Sequence, residues 1–211
     1  MNDIPLETVS KFKDLGITLS RSNIFREHIY NAVAKANRML GMIKKSFCTR
    51  DPKCLLILYK AYVRSILEFG CVIWSPYVKY LIDCIEKVQK RFCYIFPYLH
   101  GLSYQSKLAN LNLLSLESRR LRYKLIFLYK MLNGFCDLVP TNFFLRSGRT
   151  TCHLPHDKLL IPYCKHAYRS NFFTVDVISH WNNLSISERN VTSVACLKKS
   201  VSLYFVRMII W

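Results

Sequence analysis

The chain has 211 residues, 31 of them Lys or Arg against 13 Asp or Glu, for a formal net charge of +18 at pH 7. Hydrophobic residues make up 51% and aromatic residues 14%, which excludes compositional disorder and allows one domain, or two small ones, with a real core. The cationic excess costs self-repulsion unless phosphates or lipid head groups relieve it, so it points to a polyanionic partner, nucleic acid first and an anionic membrane surface second.

In chain order, a short strand from Phe12 to Leu19 leads through a turn into a long basic amphipathic helix, about Asn23 to Phe47. In that helix Phe25, Ile29, Ala32, Val33, Ala36, Leu40, Ile43 and Phe47 recur every three or four residues. Arg26, Lys35, Arg38, Lys44 and Lys45 lie largely off this face. A second helix opens at Asp51-Pro52, with Asp51 suited to the N-cap and Pro52 to the first helical position. Its expected inward residues are Leu55, Leu58, Tyr59, Tyr62, Val63, Ile66 and Leu67, with Lys53, Lys60 and Arg64 on another face. It should end near Gly70, ahead of the break at Trp74-Ser-Pro.

The third helix, about Val78 to Phe96, buries Leu81, Ile82, Ile85, Val88, Phe92 and Ile95, exposes Lys87, Lys90 and Arg91, and stops at Pro97. A small helix fits Tyr104–Asn110. The fourth long helix, about Leu116 to Asn133, has a stripe of Leu121, Leu125, Leu128 and Leu132 and is dense in bases: Arg119, Arg120, Arg122, Lys124 and Lys130. Asn133-Gly134 is a good C-terminal stop. Residues 135–170 carry Pro140, Pro155 and Pro162 and read as loop with short extended pieces. Helical stretches return at Phe172–Trp181 and after Thr192, which is placed to cap the last one. The expected fold is mainly α: a helical bundle over residues 1–134 with a short N-terminal strand, then a loop-rich extension over 135–211.

The apolar runs Ile66–Val78 and Leu203–Trp211 are interrupted by Glu68 and Arg207 and fall short of the roughly 20 residues a bilayer needs. No basic n-region precedes an apolar core at the N-terminus, so an intracellular protein, nuclear or cytoplasmic, is expected. In that setting the nine cysteines, an odd number without a Cys-x-x-Cys pair, are expected to be reduced thiols.

Five stretches carry a family resemblance. The segment beginning Lys11-Phe-Lys-Asp-Leu-Gly-Ile-Thr-Leu-Ser20 and ending Gly41-Met-Ile-Lys-Lys-Ser-Phe47 resembles the junction of palm and thumb in a non-LTR retrotransposon (jockey-like) reverse transcriptase. Leu58-Tyr-Lys-Ala-Tyr-Val-Arg-Ser-Ile-Leu-Glu-Phe-Gly-Cys-Val-Ile-Trp74 is similar to the family segment that runs from a Tyr-Lys pair to a buried Trp. Ile85-Glu-Lys-Val-Gln-Lys-Arg-Phe92 looks like the basic helix after it, and Leu111-Asn-Leu-Leu-Ser-Leu-Glu-Ser-Arg-Arg120 and Trp181-Asn-Asn-Leu184 match two further patches in the same order. Residues 11–135 are covered well and 140–200 loosely, while Tyr204 to Trp211 depart from the family's basic tail. The resemblance implies the thumb and downstream region of an RNA-directed DNA polymerase, with Trp74 and Trp181 as packing anchors. Its implied partners are an RNA or DNA template–primer duplex and the palm and fingers of the same polymerase.

The polymerase chemistry does not carry over. Two-metal nucleotidyl transfer needs carboxylates able to hold two cations about 4 Å apart. In the family these come from an aromatic-x-Asp-Asp turn and a further Asp. Here no two aspartates are adjacent, and Asp14 reads as a turn residue. No catalytic residue and no cofactor are therefore expected in this chain. Cys152, His153, His156, Cys164 and His166 crowd five zinc-type ligands into fifteen residues, but their spacing fits no common closed zinc pattern, and no metal is expected. There is also no Gly-x-Ser-x-Gly elbow and no Gly-rich phosphate loop. His180 beside Trp181 reads as a packed or partly exposed histidine and not as a base.

What remains is the basic surface. The candidate nucleic-acid contacts are Lys35, Arg38, Lys44, Lys45, Lys60, Arg64, Lys87, Lys90, Arg91, Arg119, Arg120, Arg122 and Lys124. An ordinary solvated face would intersperse acids, yet these helices carry only Glu27, Glu68, Glu86 and Glu117 as glutamates. Phosphate contact with little base reading is the expected mode, and Tyr62, Tyr94, Tyr98, Tyr104 and Tyr123 are candidates to stack on bases. Two alternatives stay open: an inert remnant or protein-interaction domain whose apolar surface once met a palm, and a peripheral membrane-surface protein.

Overall fold

The expected single strand is a hairpin in the computed structural model, which describes residues 9–20, 24–47, 51–146 and 158–209, with side chains through 202. Strands β1 (Lys11–Asp14) and β2 (Ile17–Ser20) pair antiparallel, with Phe12 opposite Leu19 and Lys13 opposite Thr18. Between them Leu15 (φ 45) and Gly16 (φ 87) both take positive φ, the two-residue turn whose twist suits a tight hairpin. Apart from one isolated antiparallel bridge between Arg146 and Leu159, everything else described is helix or loop, so the fold is mainly α.

The chain divides into two compact units, Met1–Gly70 with Pro76–His100 and Cys71–Ser75 with Gly101–Trp211. In the first, α1 (Arg26–Ser46) packs beside β2 and buries Ile29, Ala32, Val33, Ala36, Leu40 and Ile43. Glu27 in its first turn and Lys44 and Lys45 in its last complement the helix dipole. Asp51 caps α2 (Pro52–Leu58) as expected, accepting from the N–H groups of Lys53 and Cys54 at 3.4 and 3.1 Å.

α2 continues through a π-helical stretch, Tyr59–Arg64, into α3 (Ser65–Glu68). The reason lies in the spacing of its core residues. Leu55, Tyr59, Val63 and Leu67 are buried at strict four-residue intervals. Four residues of ideal α-helix overshoot a full turn by about 40°. Widening the middle turn absorbs that drift and keeps Tyr59 and Val63 on the core side. Tyr62, expected to face inward, is instead 54% exposed. The Ser65 hydroxyl donates to the Ala61 carbonyl within this stretch.

α5 (Lys79–Cys93) closes the first unit against α1, burying Leu81, Ile82, Ile85, Val88 and Phe92. The Tyr59 hydroxyl donates to Gln89 Oε1 at 2.7 Å, and the Tyr59 and Phe92 rings stack at 4.1 Å. Burial raises the Tyr59 pKa, so the phenol stays protonated.

The second unit is built around α7 (Leu116–Leu132), which meets the short α4 (Cys71–Trp74), α9 (Phe173–Asn182) and α11 (Val194–Ile209). Trp74 and Trp181 are buried in it, as expected of packing anchors. α6 (Tyr104–Asn110) falls where periodicity placed it, and the turns α8 (Ala167–Ser170) and α10 (Ile186–Arg189) complete the set. The Asn182 amide exchanges two hydrogen bonds with the Leu159 backbone, at 3.0 and 2.9 Å, tying down an extended piece of the Pro-containing stretch. The cap of α11 is Ser193, which accepts from the Cys196 N–H at 3.2 Å, and not Thr192. The division into units does not follow the boundary expected near residue 134: α7, before it, shares one core with Val177, Trp181, Leu197 and Val201, after it.

Candidate nucleic-acid interface

Two hydrogen bonds and a shared cavity relate α1 to α5 along their length. Arg26 Nε donates to the Tyr80 hydroxyl at 3.0 Å, with the guanidinium 5.7 Å from the ring centroid. Further along, the Arg91 guanidinium donates to Asn37 Oδ1 at 3.0 Å. At the far end Lys44 and Tyr94 line one small cavity of about 190 Å³ with Phe47 and His100. The pairs advance together in both helices, so α1 and α5 run parallel and bring their C-terminal turns to the same end. Those turns carry Lys44 and Lys45 on one helix and Lys90 and Arg91 on the other. At 1.5 Å per residue the rail from Tyr80 to Tyr94 is about 21 Å long, roughly six phosphates of one strand.

Lys87, Lys90 and Arg91 are exposed along this rail, and Arg38 and Lys45 face outward from α1. Lys60 is exposed on the π-helical stretch, whereas Arg64 is half-buried and 3.7 Å from Glu68. Lys35 lies on the other flank of α1's buried stripe and lines a larger cleft with Lys13. Among the described residues, Lys35, Arg38, Lys44, Lys45, Lys60 and Lys87 enter no ion pair.

The candidates on α7 are placed differently. Arg120 is 2% exposed and Lys124 is 7% exposed, so neither presents the open cation expected of it. Lys124 Nζ instead binds Asp176 Oδ2 at 2.8 Å. Arg122 is half-buried and donates to the Lys198 carbonyl at 3.2 Å. Arg119, also half-buried, donates to the Tyr123 hydroxyl at 3.1 Å and sits 5.6 Å from that ring's centroid. The correction has a physical cause: Leu116, Leu125, Ile126, Leu128, Tyr129 and Met131 are buried around most of α7's circumference, leaving little outer face.

The chain is 26% identical over 153 residues to an uncharacterized protein of Caenorhabditis elegans, an alignment covering 66% of this chain and 77% of that protein. No family model and no solved structure matches it.

Of the stacking candidates, Tyr62, Tyr94 and Tyr98 are more than half exposed, Tyr123 is 37% exposed and Tyr104 is half-buried. Arg26, Asn37 and Tyr80 were not among the sequence candidates. The usable signal was the spacing of positions 26, 37 and 44 beside α1's apolar stripe, which sets them on one flank.

Cys152, His153 and His156 lie outside the described residues. Of the same cluster, Cys164 is a free thiol and His166 stacks on Tyr168 at 5.3 Å. No three His, Cys, Asp or Glu side chains come together to hold a metal ion among the described residues. No helix among them is long and apolar enough to cross a membrane. His180 Nε2 stands 4.0 Å from Asp176 Oδ1, and its pKa is lowered by burial and by Lys124 against the opposing pull of Asp176.

Proposed function

We propose that the first unit grips a nucleic-acid duplex or hybrid by its phosphates, in the manner of the thumb of a non-LTR reverse transcriptase, and performs no nucleotidyl transfer itself. The observation that carries this reading is the parallel α1–α5 rail. It sets Lys44, Lys87 and Arg91 along one edge, with exposed tyrosines interleaved and Asp83 the one acid of α5 that stands exposed by half, 3.8 Å from Lys79. Cations in this arrangement neutralise successive phosphates and release counterions, giving affinity without sequence preference. The burial of Trp74 supports the reading, because the segment it resembles runs from a Tyr-Lys pair to a buried Trp.

The test is fluorescence anisotropy of a labelled RNA–DNA hybrid and a DNA duplex with the full chain at several salt concentrations. Log affinity should fall linearly with log salt, with a slope of about −3 or steeper if at least three or four phosphates are neutralised. Binding that ignores salt would overturn the reading.

A second reading rests on the hairpin, where Phe12 is 58% exposed, Leu15 87% and Leu19 40%. Phe12 and Leu19 face each other across the two strands and so share one face. Such a patch suits a protein surface, the palm of a polymerase being the occupant that the resemblance implies. Co-purification with a separately expressed palm domain, lost on Phe12→Ser with Leu19→Ser, would support it.

A further inference from the structure

We propose that a cleft of the first unit, walled by the β1–β2 hairpin, α1 and α3, binds a nucleoside phosphate, with the phosphate between Lys13 and Lys35 and the base against Phe69. The cleft has a volume of about 490 Å³, within the range of about 300–1,000 Å³ usual for small-molecule sites.

Its lining differs in chemistry from element to element. The hairpin and α1 contribute two lysines, Lys13 on β1 and Lys35 on α1, and α1 adds the His28 imidazole and the Asn31 amide. The chain from α3 onward contributes Ile66 and Phe69, and Phe69 is 60% exposed. Among the described residues no carboxylate lines the cleft, so its two lysines stand unopposed there and favour an anion. A plain inorganic anion would leave the aromatic side unused, and an apolar molecule would leave the lysines unused. A phosphate joined to a flat ring uses both.

Two details build the site. Gly16 has φ 87, and a Cβ there would lie 3.3 Å from the Phe69 ring, so the absent side chain lets that ring settle against the hairpin turn. His28 Nδ1 accepts a long hydrogen bond from the Thr18 N–H at 3.4 Å. That contact leaves the proton of the neutral imidazole on Nε2, as a donor. Burial and the nearby Lys13 both lower the His28 pKa, and a bound phosphate would reverse the second effect. The Ser65 hydroxyl also lines the cleft but donates to Ala61, so it is not counted among the phosphate donors.

The cleft is made of different residues from the α1–α5 rail, and the inference does not depend on the strand-gripping role. The nucleoside phosphate could be a free mononucleotide or the end of a strand, and the experiment separates them. Calorimetry of the full chain with adenosine monophosphate should give saturable binding, at least tenfold tighter than with adenosine or with inorganic phosphate. Lys13→Gln with Lys35→Gln should weaken it at least tenfold at an unchanged circular-dichroism spectrum, whereas Lys44→Gln with Arg91→Gln should leave it unchanged. In the wild-type chain the His28 ring signals should shift on titration with adenosine monophosphate. A 5′-phosphorylated oligonucleotide that displaces the nucleotide better than its 5′-hydroxyl form assigns the cleft to a strand end; equal displacement, or none, assigns it to the free nucleotide. Binding of adenosine monophosphate no tighter than phosphate, unaffected by the lysine changes, or silent at His28 would overturn the proposal.

Discussion

The two units use the same residue types to opposite ends. In the first, seven of the candidate lysines and arginines stand clear of any acid among the described residues. In the second, the candidate cations of α7 are drawn into the structure: Lys124 pairs with an aspartate 52 residues away, and Arg122 reaches a carbonyl 76 residues away. A count of basic residues along a helix does not distinguish a surface that awaits phosphates from a helix that has spent its charges on its own fold. The difference is set by how much of the helix circumference is covered, and that coverage comes from distant chain.

The sharpest way to break this contrast is to remove the acid that holds Lys124. Its side chain is 9% exposed and that of Asp176 25%, so Asp176→Asn strands a nearly buried ammonium. The expected loss is about 3 kcal/mol, the low end for breaking a buried pair because Asp176 keeps some solvent. Chemical denaturation measures it, and the salt slope of hybrid binding should not move. If that slope steepened with stability intact, the freed Lys124 would be neutralising a phosphate and α7 would belong to the interface after all.

The converse change is next in size. Lys44→Gln, Lys87→Gln and Arg91→Gln together should cost at most about 1.5 kcal/mol of stability, about 0.5 kcal/mol for each surface change, with the hydrogen bond from Arg91 to Asn37 the main loss. The same triple change should flatten the salt slope by about 2.7, near 0.9 for each phosphate that is no longer neutralised. An unchanged slope would mean that the rail is an ordinary solvated edge.

A smaller effect is expected at the hairpin. Gly16→Ala places a methyl group against Phe69 in a backbone conformation that L-residues rarely adopt, at a cost of about 1 kcal/mol or more. Thermal unfolding reads it directly. Because Gly16 also shapes the cleft, this variant should weaken adenosine monophosphate and leave hybrid binding on the rail unaltered.

Much of the fold was legible because its helices follow simple rules. Three- and four-residue periodicity located α1, α5 and α7 within a few residues, and Asp51-Pro52 announced the start of α2 with the hydrogen bonds that a cap requires. What escaped were features governed by register or by distant partners. The π-helical stretch is invisible to an α-helical template, which is why Tyr62 was placed inward. The hairpin turn has Leu15 where a turn of this kind usually has Asn or Asp, so two strands read as one. Arg120 and Lys124 lie four residues apart, as solvated residues on a helix face would. Elements distant in the chain, α4 upstream and α9 and α11 downstream, cover the helix and decide otherwise.

The mildest prediction concerns acid. Burial lowers the pKa of His28 in the first unit and of His180 in the second, with Lys13 and Lys124 adding to it. The unfolded chain takes up these protons below the ordinary imidazole value of about 6.5, before the folded chain does. Stability should therefore be fully present above that pH and fall as pH drops beneath it toward the depressed folded values. Gln at position 28 or 180 should each remove part of this dependence in thermal melts taken between pH 7.5 and 5. The units differ in what accompanies burial: Asp176 partly restores the pKa of His180, while the charge of Lys13 pushes that of His28 further down. Asp176→Asn should then make the acid-side loss of stability steeper as well as lowering stability overall. A shallower loss in that variant would show that Asp176 does not hold a favourable position for the His180 proton, and that the 4.0 Å contact has no electrostatic consequence.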